Sequence, residues 1–322
     1  MERRSFLAAA LISATAGSRA YAQGAWPTKP IRLIVPFAPG GSSEIIARST
    51  AAEMGGLLGQ TMYVENKPGG SGNIAMQECL NASDGHTIIL GHIGTLAVNP
   101  FLFAKLPFDV NRDFKPVSLL AKVPSLYVVN PSVPAKNLKE FVALAKASPG
   151  KLNYGSAGNG SAGHLAMEYL KSEAGIFMLH VPYRGTGPQM TDLLAGRLEA
   201  ASVGAAAVLP FIKAGKLRCI ATGSKERLPQ LPDVATVAEQ GYPGFEMTQW
   251  YGLMAPSSFS EEQTSKLALA AGKAVKAPAA STRFNDEAVF GMGDSPAQFK
   301  AFIATEQARW KKVVRQANIR LD

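Results

Sequence analysis

Cysteine is nearly absent, with Cys79 and Cys219 the two in 322 residues. They lie far apart and outside any Cys-x-x-Cys or His-rich spacing, which argues against a structural metal or a redox pair. Two buried, unpaired thiols are the expectation, with a single disulfide as the alternative in an oxidising compartment. Histidine is also scarce: His86, His92, His164 and His180 show neither metal-ligand spacing nor a partner for a catalytic relay, so most are expected to be structural. Long apolar runs are missing beyond the N-terminus. The longest, residues 205–212, is broken by Pro210 and falls well short of the about 20 residues a membrane helix needs. Basic clusters with interleaved aromatics are missing too, which argues against nucleic acid as a partner despite a net charge of +9. The excess positive charge favours small anionic partners instead.

The N-terminus reads as an export signal. Arg3 and Arg4 precede an apolar stretch over residues 6–16, and Ala20-Tyr21-Ala22 supplies a small-x-small cleavage site, so a mature chain beginning near Gln23 is expected in the periplasm. The Arg3-Arg4-Ser5-Phe6-Leu7 run also matches a twin-arginine pattern, leaving the Sec and twin-arginine routes both open. About 300 remaining residues exceed what one core usually organises, so two domains are expected.

Short β-type runs alternate with helical patterns along the whole chain, as in an α/β protein built on parallel sheets. Strands are expected at residues 31–37, 62–65, 87–90, 152–155, 178–182, 200–203 and 217–221. Helices are expected at 44–58, 138–147 and 165–174. A C-terminal helix follows Ser295 and Pro296, with Phe299, Phe302, Ile303, Trp310, Val313 and Val314 on one apolar stripe that should pack back on the first domain. Two apolar segments, 117–129 and 247–255, read as a pair of interdomain crossovers. The expected division is therefore a signal peptide at 1–22, a discontinuous first domain at 23–124 and 248–322, and a second domain at 125–247.

Four glycine-rich turns stand at strand-to-helix junctions: Pro39-Gly40-Gly41-Ser42-Ser43, Pro68-Gly69-Gly70-Ser71-Gly72-Asn73, Ser156-Ala157-Gly158-Asn159-Gly160-Ser161 and Arg184-Gly185-Thr186-Gly187-Pro188. Such turns lie at the carboxyl ends of strands, where open α/β sheets bind ligands. A helix N-terminus there offers unpaired N–H groups and partial positive charge to a carboxylate or phosphate. Any one of these loops alone can equally be no more than a tight turn. The rival reading is a nucleotide-cofactor-dependent enzyme, because Gly158-x-Gly160-x-x-Gly163 matches the dinucleotide fingerprint. Against it, no acidic residue stands about 20 positions later to hold a ribose. Ser161 can cap a helix that places His164 beside the cleft. Glu44 either complements the start of its helix or pairs with a ligand ammonium. Arg184 is either a carboxylate clamp or a solvated surface residue.

The run Trp26-Pro27-x-Lys29-Pro30-Ile31-Arg32-Leu33-Ile34-Val35-Pro36-Phe37-x-Pro39-Gly40-Gly41 resembles the opening of the tripartite tricarboxylate transporter substrate-binding family, the Bug receptors. Further matching stretches follow in order: Val64-Glu65-Asn66-Lys67-Pro68-Gly69, Gly72-Asn73-Ile74, Ser156-x-Gly158-x-Gly160-Ser161-x-x-His164-Leu165, Tyr183-Arg184-Gly185-x-x-Pro188 and Ala214-Gly215-Lys216-Leu217-Arg218. The resemblance implies a two-domain type II periplasmic binding protein fold that closes like a flytrap on a carboxylated solute. It implies a monomer without catalytic residues, cofactor or metal, delivering its solute to a tripartite tricarboxylate-type permease or to a sensor protein. By matching position it implies ligand contacts from Phe37, Gly40, Gly41, Ser42, Ser43, Ser71, Asn73, Thr95, Ser156, Asn159, Gly160, His164, Tyr183, Gly185 and Thr186. Two departures favour a plain organic acid over an acidic amino acid. Glu44 replaces the family's usual Asp, and the stretch from Glu199 to Gly204 lacks its usual aspartates.

Overall fold

The computed structural model describes residues 26–317 and residue 319, so the leader read at 1–22 lies outside the described residues. In chain order the strands are β1 (Ile31–Val35), β2 (Met62–Asn66), β3 (Thr87–His92), β4 (Phe114–Val129), β5 (Asn153–Ser156), β6 (Leu179–Pro182), β7 (Ala200–Gly204), β8 (Arg218–Thr222), β9 (Thr248–Pro256) and β10 (Phe290–Gly291). The helices are α1 (Ser42–Leu58), α2 (Asn73–Asn81), α3 (Asn99–Leu102), α4 (Val110–Asp113), α5 (Leu138–Ala147), α6 (Ala162–Ala174), α7 (Thr186–Leu194), α8 (Ala205–Lys213), α9 (Glu261–Ala274), α10 (Pro278–Asp286) and α11 (Pro296–Gln316). All seven strands expected from the sequence form, with bounds shifted by no more than two residues. Helix α6 begins three residues before the expected start, because the Ser161 hydroxyl accepts from the His164 amide and fixes the first turn there.

One lobe is built on β2, β1 and β3, which pair in parallel, with β9 antiparallel to β3. The other is built on β6, β5 and β7, also parallel, with β4 antiparallel to β7 and β8 antiparallel to β4. β1 shows why such strands are continuous apolar runs: helices cover both sheet faces, and Ile31, Leu33, Ile34 and Val35 are all fully buried. The long strand β4 joins the lobes. From Phe114 to Pro124 it pairs with β9, and from Ser125 onward it pairs with β7, changing partners within one peptide unit. β9 returns beside it, so the apolar segments 117–129 and 247–255 form two antiparallel strands that pass between the lobes.

Helix α11 carries the predicted stripe and packs on β9 and β4. Ser295 and Gln298 form a reciprocal capping box, and Phe299, Ile303, Trp310 and Val314 are buried. The Trp250 and Trp310 indole N–H groups both donate to Glu306 Oε2, at 2.8 and 3.2 Å. Removing that acceptor strands two buried donors, so Glu306→Ala is expected to destabilise the fold by roughly 1–3 kcal/mol. Urea melts would read this, and ligand affinity is expected to be unchanged, since Glu306 lies away from the cavity described below.

Both cysteines are buried and free. Burial pushes the Cys219 thiol up to about 12 and the Cys79 thiol well above its ordinary range, so neither offers a thiolate at neutral pH. No helix among the described residues is long and apolar enough to cross a membrane.

Candidate functional site

The lobes meet through backbone. Ala38 N donates to Arg184 O at 3.2 Å, and the Pro39-Gly40-Gly41 loop of one lobe lies against Gly185-Thr186-Gly187 of the other. Glycine makes this approach possible: a Cβ on Gly187 would stand 2.6 Å from Pro39 O, and one on Gly94 would stand 2.2 Å from Gly160 O.

Behind this seam lies a narrow cavity of about 30 Å³ lined by residues of both lobes, including Phe37, Ser42, Ser43, His92, Ser161, Ala162, Gly163, Thr186, Ser202, Gly204, Gln249 and Tyr251. Four helices begin at its wall. α1 starts at Ser42 after the extended Gly41, α6 at Ala162 after Ser161, α7 at Thr186, and α8 follows Gly204. One of these N-termini comes from the first lobe and three from the second. Each carries first-turn amides without an intrahelical acceptor and the positive end of a helix dipole. Among the described residues no Asp, Glu, Lys or Arg lines this cavity. The positive potential therefore comes from peptide groups alone, an arrangement suited to an anion and hostile to an ammonium.

A second, outer cleft of about 620 Å³, open to solvent, is lined by Phe37, the Pro68–Gly72 turn, Ile74, residues 157–159, Pro182, Tyr183 and Arg184. Ser71 sits there with a left-handed φ of 58°, held opposite Gly160.

The residues singled out in the sequence divide between these spaces and the walls. Phe37, Ser42, Ser43 and Thr186 line the inner cavity, while Ser71, Asn159 and Tyr183 line the outer cleft. Gly40, Gly41 and Gly185 form the seam. Gly40 N donates to Glu44 Oε2 at 2.8 Å, and Glu44 Oε1 accepts from Arg48 at 2.8 Å, so Glu44 is engaged at the start of its own helix. Asn73 and Thr95 spend their polar atoms inside the first lobe: Asn73 Oδ1 accepts from Asn99, and the Thr95 hydroxyl bonds the His92 backbone. Ser156 Oγ lies 2.6 Å from His180 Nε2 and accepts from Gly158 N, and His164 Nδ1 accepts from Gly160 N at 3.2 Å. These last three shape the loop that carries Gly160 against the first lobe. A Cβ on Gly160 would meet Asn99 Oδ1 at 2.9 Å, so protein fills the space the dinucleotide reading reserves for a pyrophosphate.

Sequence reasoning missed His92, Ser202, Gln249 and Tyr251. Their common signal is position. His92 and Ser202 stand on β3 and β7 at or near the strand ends that face the cavity, and Gln249 and Tyr251 alternate on one face of β9. Burial pushes His92 down to about 3, and burial with the neighbouring His164 and Lys171 charges pushes His180 down to about 3 as well. The folded protein thus refuses protons that the unfolded chain accepts below about pH 6.5. Stability is expected to be level above pH 6.5 and to fall as pH drops from 6.5 toward 4.5, by up to about 1.4 kcal/mol per pH unit for each such histidine. Urea melts across that window check the slope, which should be shallower in His92→Gln. The carboxylates with lowered values, such as Asp84 and Glu239, lose their contribution only at still lower pH.

Comparison with known proteins agrees with this architecture. Residues 46–319 match the model of the tripartite tricarboxylate transporter family receptor. The chain is 34% identical to protein BugT of Bordetella pertussis over 318 residues, covering 98% of this chain and 96% of BugT. Among solved structures, Rhodopseudomonas palustris Rpa4515 with adipate superposes at a TM-score of 0.88 with 32% identity, over 92% of this chain and 99% of that one. MatC of the same organism, with bound malate, superposes at 0.86 with 33% identity, over 90% and 100%. With a matching family model over most of its length and relatives that align end to end, the chain belongs to the tripartite tricarboxylate transporter receptor family, with the two-domain type II periplasmic binding protein fold.

Proposed function

We propose that this chain is an exported receptor that captures a small carboxylated solute in the inner cavity and acts by closure of its lobes, without catalysing a reaction. The observation that carries this reading is the convergence of four helix N-termini, from both lobes, on one cavity free of charged side chains. Several charge-assisted hydrogen bonds of roughly 1.5–3 kcal/mol each suffice for micromolar binding, about 8 kcal/mol. Adipate and malate are the solutes in the related structures, and the cavity of about 30 Å³ must widen by movement of the lobes to hold an acid of that kind.

The ligand-contact set comprises Ser42, Ser43 and Thr186 by side chain and backbone, with Phe37 as an apolar wall. Gly41 and Gly185 act as the close-packed seam. The lobes divide where β4 changes partner, near residues 124–125, and where β9 begins, near 247–248. Both crossings lie side by side, which lets the pair of strands flex as a hinge. An outward-open form admits the solute, and closure is favoured only because the solute binds the closed form better. The chain would work in the periplasm as a monomer and hand its solute to a tripartite tricarboxylate-type permease or to a sensor.

Calorimetry at neutral pH with succinate, malate, adipate and citrate tests the reading. At least one acid is expected to bind at micromolar levels and to reduce the radius of gyration in small-angle scattering. Absence of heat and of thermal stabilisation with every acid would sink it.

A further inference from the structure

We infer that His92 is a specificity-determining donor of the inner cavity, presenting Nε2–H to an oxygen of the bound solute and excluding solutes that bring an ammonium group there. The inference rests on the receptor reading above and adds to it the class of solute selected.

The tautomer follows from hydrogen bonding. Thr95 N donates to His92 Nδ1 at 2.9 Å, which occupies the single lone pair of that nitrogen. The Thr95 hydroxyl accepts from His92 N at 3.1 Å and donates to His92 O at 3.2 Å, locking the turn from both sides. A neutral ring with an accepting Nδ1 must carry its proton on Nε2. That Nε2 is buried without a hydrogen-bond partner, in a residue that is 2% exposed and lines the cavity. The Phe37 ring, 4.6 Å away between centroids, holds the imidazole in place.

Two more unpartnered polar atoms share the cavity. Ser202 Oγ has no hydrogen bond, and Ser42 Oγ lies beside the Tyr251 hydroxyl without the geometry of one. Two larger polar groups of the lining are already used: the Tyr251 hydroxyl donates to Gln249 Oε1 at 2.7 Å, and Gln249 Nε2 donates to Ser125 Oγ at 3.3 Å. A buried donor left unsatisfied is costly, and a ligand oxygen supplies the missing acceptor. An ammonium finds the opposite setting. It would face a donor at His92, the positive ends of four helices and no carboxylate in the lining. Glu44, the acid nearest in sequence, is occupied by Gly40 N and Arg48.

Succinate and aspartate differ by one amino group, so they separate this inference from the receptor reading. In the full-length mature protein labelled with 15N-histidine, one ring should show an unprotonated Nδ1 and a protonated Nε2 that disappears in His92→Leu. Its Nε2–H proton should move downfield on saturation with whichever of succinate, malate and adipate binds. Aspartate should bind at least tenfold more weakly than succinate. His92→Leu should lose about tenfold in affinity for the acid, whereas His92→Gln, which restores a donor, should stay within about threefold. An Nε2–H signal that stays put at saturation, or aspartate binding as tightly as succinate, overturns the inference and leaves the receptor reading standing. Failure of all three acids to bind overturns both.

Discussion

Gly41→Asp is expected to abolish useful solute binding, weakening it by two to three orders of magnitude, while the protein remains folded. Gly41 is the N-cap of α1, with φ −104° and ψ 169°, a conformation open to any residue. Asp is among the preferred N-caps, so the helix itself gains a side-chain acceptor for its free amides. That gain is the reason binding fails. The new carboxylate occupies the donors that the solute would use and places a like charge beside it. Its Cβ would also stand 2.8 Å from Thr186 Oγ1 across the seam. A solute carboxylate seated beside it is left without those donors, and an uncompensated charge of this kind costs roughly 3–5 kcal/mol in binding. Calorimetry should show the loss, and thermal melts without ligand should show a wild-type or slightly higher midpoint. Gly41→Ser, a neutral cap, should lose much less.

Gly187→Ala is expected to cost about ten- to a hundredfold in affinity through closure alone. Gly187 lies in the first turn of α7 at an ordinary φ, where Ala is the better helix former by about 1 kcal/mol. Its added methyl would stand 2.6 Å from Pro39 O in the opposite lobe, and no other atom outside its own helix comes as near. The second lobe therefore becomes no less stable while the closed pairing of lobes is penalised. A melting midpoint at or above wild type, combined with weaker binding and a liganded radius of gyration nearer the open value, is the expected pattern. Equal affinity in this variant would mean that the seam contributes nothing to capture.

The fold was readable because its signals are local. Parallel strands such as Ile31–Val35 announce themselves as apolar runs, and helices such as Leu138–Ala147 carry a cap, here Asn137 accepting from Glu140 N at 2.8 Å. The seam glycines could be found as turn residues, and their loops do meet across the lobes. What the sequence could not convey was division of labour among polar groups. Thr95, Asn73 and Ser156 carry the right chemistry but spend it within one lobe. His92 looked like one more core histidine, because only the folded chain shows that its buried Nε2 lacks a partner and lines the cavity. Gln249 and Tyr251 sit on a crossover strand whose alternation was legible, but which face turns to the cavity depends on its pairing with β4.

The most direct measurement is a crystal structure of the protein with the tightest-binding acid of the calorimetric panel. The account predicts a carboxylate within about 3 Å of first-turn amides from α1 and from at least one of α6, α7 and α8. An acid seated on a single lobe, or held at Arg184 in the outer cleft with the inner cavity empty, would contradict it.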